Sequence, residues 1–187
     1  MQAARRASLN ARDVEGDIDD AAADAEGQAP RRVVTFAVIA ILTIAADVAT
    51  KVAAVELLSD RDPVEVVPGV LDLTLVRNPG AAFGLGTGLT WLLTAVAIVV
   101  VAVVLRMAGR LRDRGWAVAL GLLLGGAVGN LVDRVLRQPG PMRGHVIDFL
   151  QLPNWPVFNL ADSAICVAAA VVMWRSLRGV GLDGRTE

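Results

Sequence analysis

The chain has 187 residues, 55% of them hydrophobic, with a formal net charge of −1, one cysteine and one histidine. That composition is too apolar for a soluble domain of this length, and the near-neutral charge argues against a nucleic-acid partner. Cys166 alone can form neither an intramolecular disulfide nor a cysteine metal cluster, and any Ser-His or Cys-His mechanism would have to run through His145, in a Gly- and Pro-rich loop.

Residues 1–30 are polar, rich in Ala and Asp, and lack apolar periodicity. They read as a disordered cytoplasmic extension. Four apolar stretches follow, at about residues 33–55, 85–105, 115–136 and 157–177. Each is near the ~20 residues that a membrane-spanning helix needs. The first reads as a span and not as a cleavable signal peptide, because its apolar run continues beyond any plausible cleavage site.

Arg31 and Arg32 precede the first span, Arg106, Arg110, Arg112 and Arg114 lie between the second and third, and Arg175 and Arg178 close the last. The first-to-second connection instead carries Glu56, Asp60, Asp62, Glu65 and Asp72. By the positive-inside rule both termini are expected in the cytoplasm. Trp91 and Trp155 then fall at the outer interface and Trp116 and Trp174 at the inner one. The expected organisation is a cytoplasmic extension (1–30), a four-helix membrane domain (31–179) and a cytoplasmic tail (180–187).

Near the outer end of the first span, Asp47 and Lys51 are spaced i, i+4 and fall on one helix face. Lys51 is the only lysine. The pair reads as an ion pair pinning the helix end, with the lysine snorkelling towards headgroups. From Val64 the period changes to two, with Pro68-Gly69 as a turn and Leu71, Leu73 and Leu75 on one face. This predicts a small extracytoplasmic hairpin. It could rest on lipid, grip an extended peptide or simply cover the helix ends. A loop from Asn78 to Gly84 follows, rich in small residues, with Asn78 able both to donate and to accept.

The third span contains Gly125, Gly126 and Gly129, which permit close helix packing in lipid, and then Asn130, Asp133 and Arg134. Asp133 and Arg134 read as supporting residues, with Arg134 also free to bond a substrate carbonyl. Asp148 is flanked by apolar residues, and desolvation there raises a carboxyl pKa. If Asn159 caps the fourth span, Asp162 is its third helical residue, where the helix dipole favours a carboxylate.

Ionisable groups at the edge of hydrocarbon cost roughly 2.5–3.5 kcal/mol each by insertion scales, so their default reading is functional. Of Asp133, Asp148 and Asp162, two are expected to form an acid/base pair at the membrane surface. A non-enzymatic alternative is a small proton-coupled transporter using the carboxylates as relays. That reading requires charges near mid-membrane, where these spans are nearly uncharged.

Taken together, five motifs resemble the bacterial lipoprotein signal peptidases, or type II signal peptidases. They are Asp47-x-x-x-Lys51, Asn78-x-Gly-Ala-Ala-Phe83, Gly129-Asn130-x-x-Asp133-Arg134, Val146-Ile-Asp148-Phe149 and Phe158-Asn159-x-Ala-Asp162, in the family's order. Val48 stands where the family usually has Gln. The resemblance implies an all-α polytopic membrane protein of four transmembrane helices with a small extracytoplasmic β-cradle. Its implied activity is aspartyl endopeptidase cleavage of diacylglyceryl-modified prolipoproteins before the lipidated cysteine. By this resemblance Asp148 and Asp162 are catalytic, and Asn78, Asn130, Arg134 and Asn159 line the substrate and inhibitor pocket. Asp47, Lys51 and Asp133 match further motif positions. It implies no cofactor or metal, membrane lipid as surroundings, an active site on the extracytoplasmic face, and inhibition by the cyclic peptide globomycin. Nothing in the sequence demands more than a monomer.

Overall fold

The structure is a computed structural model that describes residues 31–80 and 88–186. The expected extension 1–30, Ala81 to Phe83 of the second motif and Glu187 lie outside the described residues. Four apolar helices dominate: α1 (Val33–Leu58), α2 (Thr90–Ala108), α3 (Arg114–Leu136) and α4 (Leu160–Leu177). The shortest, α4, has 18 residues, or about 27 Å at 1.5 Å per residue, close to the ~30 Å hydrocarbon thickness. Three antiparallel strands complete the fold, β1 (Val64–Val67), β2 (Leu71–Asn78) and β3 (Val146–Gln151), in spatial order β1-β2-β3.

α1 and α3 run towards the strands, and α2 and α4 run away from them, so the small sheet covers one end of the bundle. The expected hairpin is present. Val70 donates to Val67 at 2.9 Å, and Gly69 has a φ of 68°, the left-handed value that the third residue of a type II turn requires. Leu73 and Leu75 pack with Ala54 and Leu58 of α1 and with Ile147 and Phe149 of β3, a core beneath the sheet.

The third strand is not foreshadowed in the sequence. Val146 to Phe149 are buried, so the segment shows no alternation of apolar and polar residues that would reveal its period. It pairs Asn78 with Val146 and Val76 with Asp148. The chain then folds back, and Phe149 and Leu150 both donate to Phe158 O, at 3.0 and 2.8 Å. That return holds α4 back to a start at Leu160, later than the expected residue 157, and α2 starts at Thr90, later than the expected residue 85.

Residues 180–186, expected as a tail, instead turn back onto the α2–α3 connection. Leu182 O accepts from Arg112 at 2.9 Å, and Val180 O accepts from the Trp116 indole at 2.7 Å. Asp113 caps α3 through Trp116 N at 2.8 Å and pairs with Arg175 of α4. Trp91 and Trp155 sit at the sheet end and Trp116 and Trp174 at the opposite end, as two aromatic belts would.

Glycines on α3 allow the close packing. A Cβ on Gly125 would lie 2.5 Å from Thr43 of α1, and one on Gly126 would lie 2.6 Å from Ala161 O of α4. Gly126→Val should therefore separate α3 from α4 and cost about 1–3 kcal/mol. Thermal unfolding in detergent checks this; an unchanged melting temperature would show that the interface tolerates the side chain.

Candidate active site

The polar residues of five separate elements, α1, β2, α3, β3 and α4, meet at the sheet end. Lys51 of α1 lies 2.8 Å from Asp47 Oδ2, 2.9 Å from Asp133 Oδ2 and 2.9 Å from Asn130 Oδ1. It is 1% exposed. Snorkelling to the headgroups is thus corrected: three oxygens inside the bundle surround the ammonium, and a buried cation is tolerated only with such partners.

Asp47 and Asp133 each join elements. Asp47 Oδ1 accepts from Ala161 N at 2.9 Å, satisfying an amide in the first turn of α4 that has no partner within the helix. A Cβ on Gly129 would collide with Asp47 Oδ2, so glycine there lets the carboxylate cross α3. Asp133 pairs with Arg137 as well as Lys51, and accepts from Ile147 N at 3.2 Å, tying β3 to α3. Arg134 does not pair with its neighbour. Its Nη1 donates to the carbonyls of Asn78, Pro79 and Gly144, and its Nη2 to that of Gly80. Four backbone carbonyls thus hold Arg134 in place at the edge of the cavity.

In front of this cluster stand two carboxylates. Asp148 Oδ2 accepts from Asn78 Nδ2 at 2.8 Å, and Oδ1 from Asn159 Nδ2 at 2.6 Å. Asp162 Oδ1 accepts from Asn130 Nδ2 at 2.8 Å, and Oδ2 from Asn159 N at 3.2 Å. Asn159 caps α4 as the sequence indicated, with Asp162 N donating to its Oδ1 at 3.0 Å in a reciprocal capping box. Asn159 therefore touches both carboxylates, one through its side chain and one through its backbone.

Asp148 and Asp162 both line a cavity of about 810 Å³, together with Asn78, Asn130 and Arg134. Its other walls are apolar, from Leu93, Val96 and Val100 of α2, Ile165 of α4 and the Trp155 to Phe158 return. Asn159, Asp47, Lys51 and Asp133 lie behind this surface, and Asn159 is fully buried. The arrangement can hold an apolar, extended ligand against two acids.

The family profile described as Signal peptidase (SPase) II matches residues 39–178. This chain belongs to the signal peptidase II family. A lipoprotein signal peptidase of Rhodococcus jostii is 47% identical, over 94% of this chain and 90% of its own. One from Mycolicibacterium smegmatis is also 47% identical, over 89% of this chain and 72% of its own. A solved bacterial membrane enzyme superposes with a TM-score of 0.73 at 26% identity, covering 86% of this chain and 98% of that one. The chain is thus a peptidase of a bacterial membrane family.

In this signal peptidase the five motifs that the sequence singled out converge at one end of the bundle, over their described residues. Three contributors escape sequence reading. Arg137, four residues after Asp133, carries the same i, i+4 signal as Asp47 and Lys51. Thr90 and Thr94 of α2 are buried and donate to Pro79 O at 2.6 Å and Met142 O at 2.9 Å, holding both loops around Arg134. Their signal is two hydroxyls four residues apart on one face of a span whose sole charged residue is Arg106 in its last turn.

Burial pushes the Asp148 carboxyl up to about 6, against the lowering pull of the Asn78 hydrogen bond and with a further rise from the charge of Asp162. A carboxyl raised in the folded state contributes fully below about pH 4 and loses that contribution as the pH rises through about 6. Two pH units correspond to about 2–3 kcal/mol. The melting temperature should therefore fall between about pH 4 and pH 7, and Asp148→Asn should flatten that slope. An identical slope in the variant would show that Asp148 does not titrate there.

Proposed function

We propose that this chain is an aspartyl endopeptidase that removes the signal peptide from diacylglyceryl-modified prolipoproteins, cutting before the lipidated cysteine, with Asp148 and Asp162 as its catalytic pair. The names of its relatives support a lipoprotein substrate, and the resemblance of the five motifs implies the diacylglyceryl group and the cut before the lipidated cysteine. The observation that carries the chemistry is the placement of two buried-edge carboxylates on one cavity, each held by N–H donors. Charge counting agrees. Among the described residues of the cluster, Asp47, Asp133, Asp148 and Asp162 face Lys51, Arg134 and Arg137. Four acids against three cations balance when the pair keeps one proton, and adjacent carboxylates resist ionising together.

Asp162, at the positive end of α4, is the ionised member, and Asp148, raised by burial, holds the proton. Asp162 takes a proton from water as the water oxygen attacks the scissile carbonyl carbon, while Asp148 gives its proton to the carbonyl oxygen. As the tetrahedral diol collapses, Asp162 delivers its proton to the amine and Asp148 recovers one from the diol hydroxyl. Asn78 and Asn159 stabilise Asp148 in its ionised phase through their N–H groups. The apolar walls suit acyl chains entering sideways from the bilayer. Arginines at the opposite end orient the site outwards, with both termini in the cytoplasm.

With protein reconstituted in lipid, Asp148→Asn and Asp162→Asn should each slow cleavage of a lipid-modified prolipoprotein by about a thousandfold. Both variants should still insert and melt cooperatively. Near-normal cleavage by either one would refute the pair.

A further inference from the structure

Lys51 touches neither the cavity nor the two carboxylates, yet it is the largest of the fully buried side chains among the described residues. Its contacts differ in kind. Asp47 Oδ2 at 2.8 Å and Asp133 Oδ2 at 2.9 Å are charged partners, acceptors at either oxygen, whereas Asn130 Oδ1, which accepts from Lys51 Nζ at 2.9 Å, belongs to a neutral amide with only one accepting end. An amide has one accepting and one donating end, and the two have nearly the same shape. An ammonium can only donate. It therefore dictates which end of Asn130 faces it, and the other end, Nδ2, faces Asp162 at 2.8 Å.

The same orientation passes to the second acid. Asn130 Oδ1 also accepts from Asn159 Nδ2 at 3.2 Å, and the other hydrogen of that nitrogen reaches Asp148 at 2.6 Å. A reversed Asn130 would present its carbonyl to Asp162, which could then accept nothing there and would bind a proton to make the contact.

We propose that Lys51 is a positioning residue for the carboxylate pair, acting through Asn130: it fixes the direction of the amide chain so that Asp162 and Asp148 both meet N–H donors and the single proton is placed correctly. This rests on the assignment of those two acids to catalysis. The charged groups around Lys51 are Asp47 on its own helix, Asp133 and Arg134 on α3, Arg137 at the C-cap of α3, Asp148 on β3 and Asp162 on α4.

Removing Lys51 alone would strand Asp47, so the test deletes the pair without changing net charge: Asp47→Asn with Lys51→Met. The amide oxygen that Asp47→Asn introduces can still accept from Ala161 N, and Asp133 keeps Arg137. With a lipid-modified prolipoprotein in reconstituted membranes, kcat should fall about tenfold to a hundredfold, the worth of one hydrogen bond to a charged group. KM should stay within about twofold, and the alkaline limb of the kcat/KM profile should move to higher pH. In an Asn130→Ala background the same pair of changes should alter kcat by less than about threefold, because the route through Asn130 is already cut. Asp47→Asn with Lys51→Gln, which retains a donor, should recover kcat to within about fivefold of the parent.

Parent-like kcat and pH profile in the Met variant, or an equal loss in the Asn130→Ala background, would overturn the proposal. If the Met variant fails to melt cooperatively, the Gln variant decides: a loss beyond tenfold at unchanged melting temperature would overturn it too. Activity surviving in Asp148→Asn or Asp162→Asn would instead remove the catalytic assignment and, with it, this proposal.

Discussion

One buried ammonium governs how the polar end of the bundle is assembled. A lysine enclosed at the edge of hydrocarbon is unfavourable by several kcal/mol unless its partners are complete, and breaking such a pair by removing one member costs about 3–5 kcal/mol. Lys51 meets the condition with oxygens from α1 and α3. Those carboxylates are in turn bonded to α4, through Ala161 N, and to β3, through Ile147 N. The cation thus specifies how three helices and a strand meet, where apolar packing in lipid gives little directional preference.

That same network decides what the two outer carboxylates experience. Because Asp47 and Asp133 are matched by Lys51 and Arg137, the negative charge that remains to be settled sits on Asp148 and Asp162. Asn78, Asn130 and Asn159 aim N–H groups at them without adding charge. Neutral amides can steady an acid in both of its protonation states, which a lysine or arginine in direct contact would not allow. The arrangement keeps the cations one residue away from the acids, close enough to balance them and too far to hold them permanently ionised.

Spacing and context make most of this legible in the sequence. The four spans follow from length and apolarity, the hairpin from its turn and alternation, and the cap of α4 from Asn159 and Asp162 three residues apart. β3 is hidden because both of its faces are buried, which erases the period-two signal at Val146 to Phe149. Lys51 is ambiguous for a related reason: near a helix end, outward snorkelling and inward pairing share one sequence pattern, and only Asp133, two helices further along the chain, decides between them. The loop-holding bonds of Arg134 are equally hidden, because their acceptors are backbone carbonyls, which leave no mark in a sequence.

If Asp148 and Asp162 share a single proton, that proton is lost near pH 6 and its loss is observable without any substrate. Infrared difference spectroscopy between about pH 5 and about pH 8, on protein in lipid, reads protonated buried carboxyl groups directly. One carboxyl band should titrate near the value assigned to Asp148 and disappear in Asp148→Asn. A spectrum with no titrating buried carboxyl, or one unchanged by that substitution, would contradict the shared proton and the catalytic pair built on it.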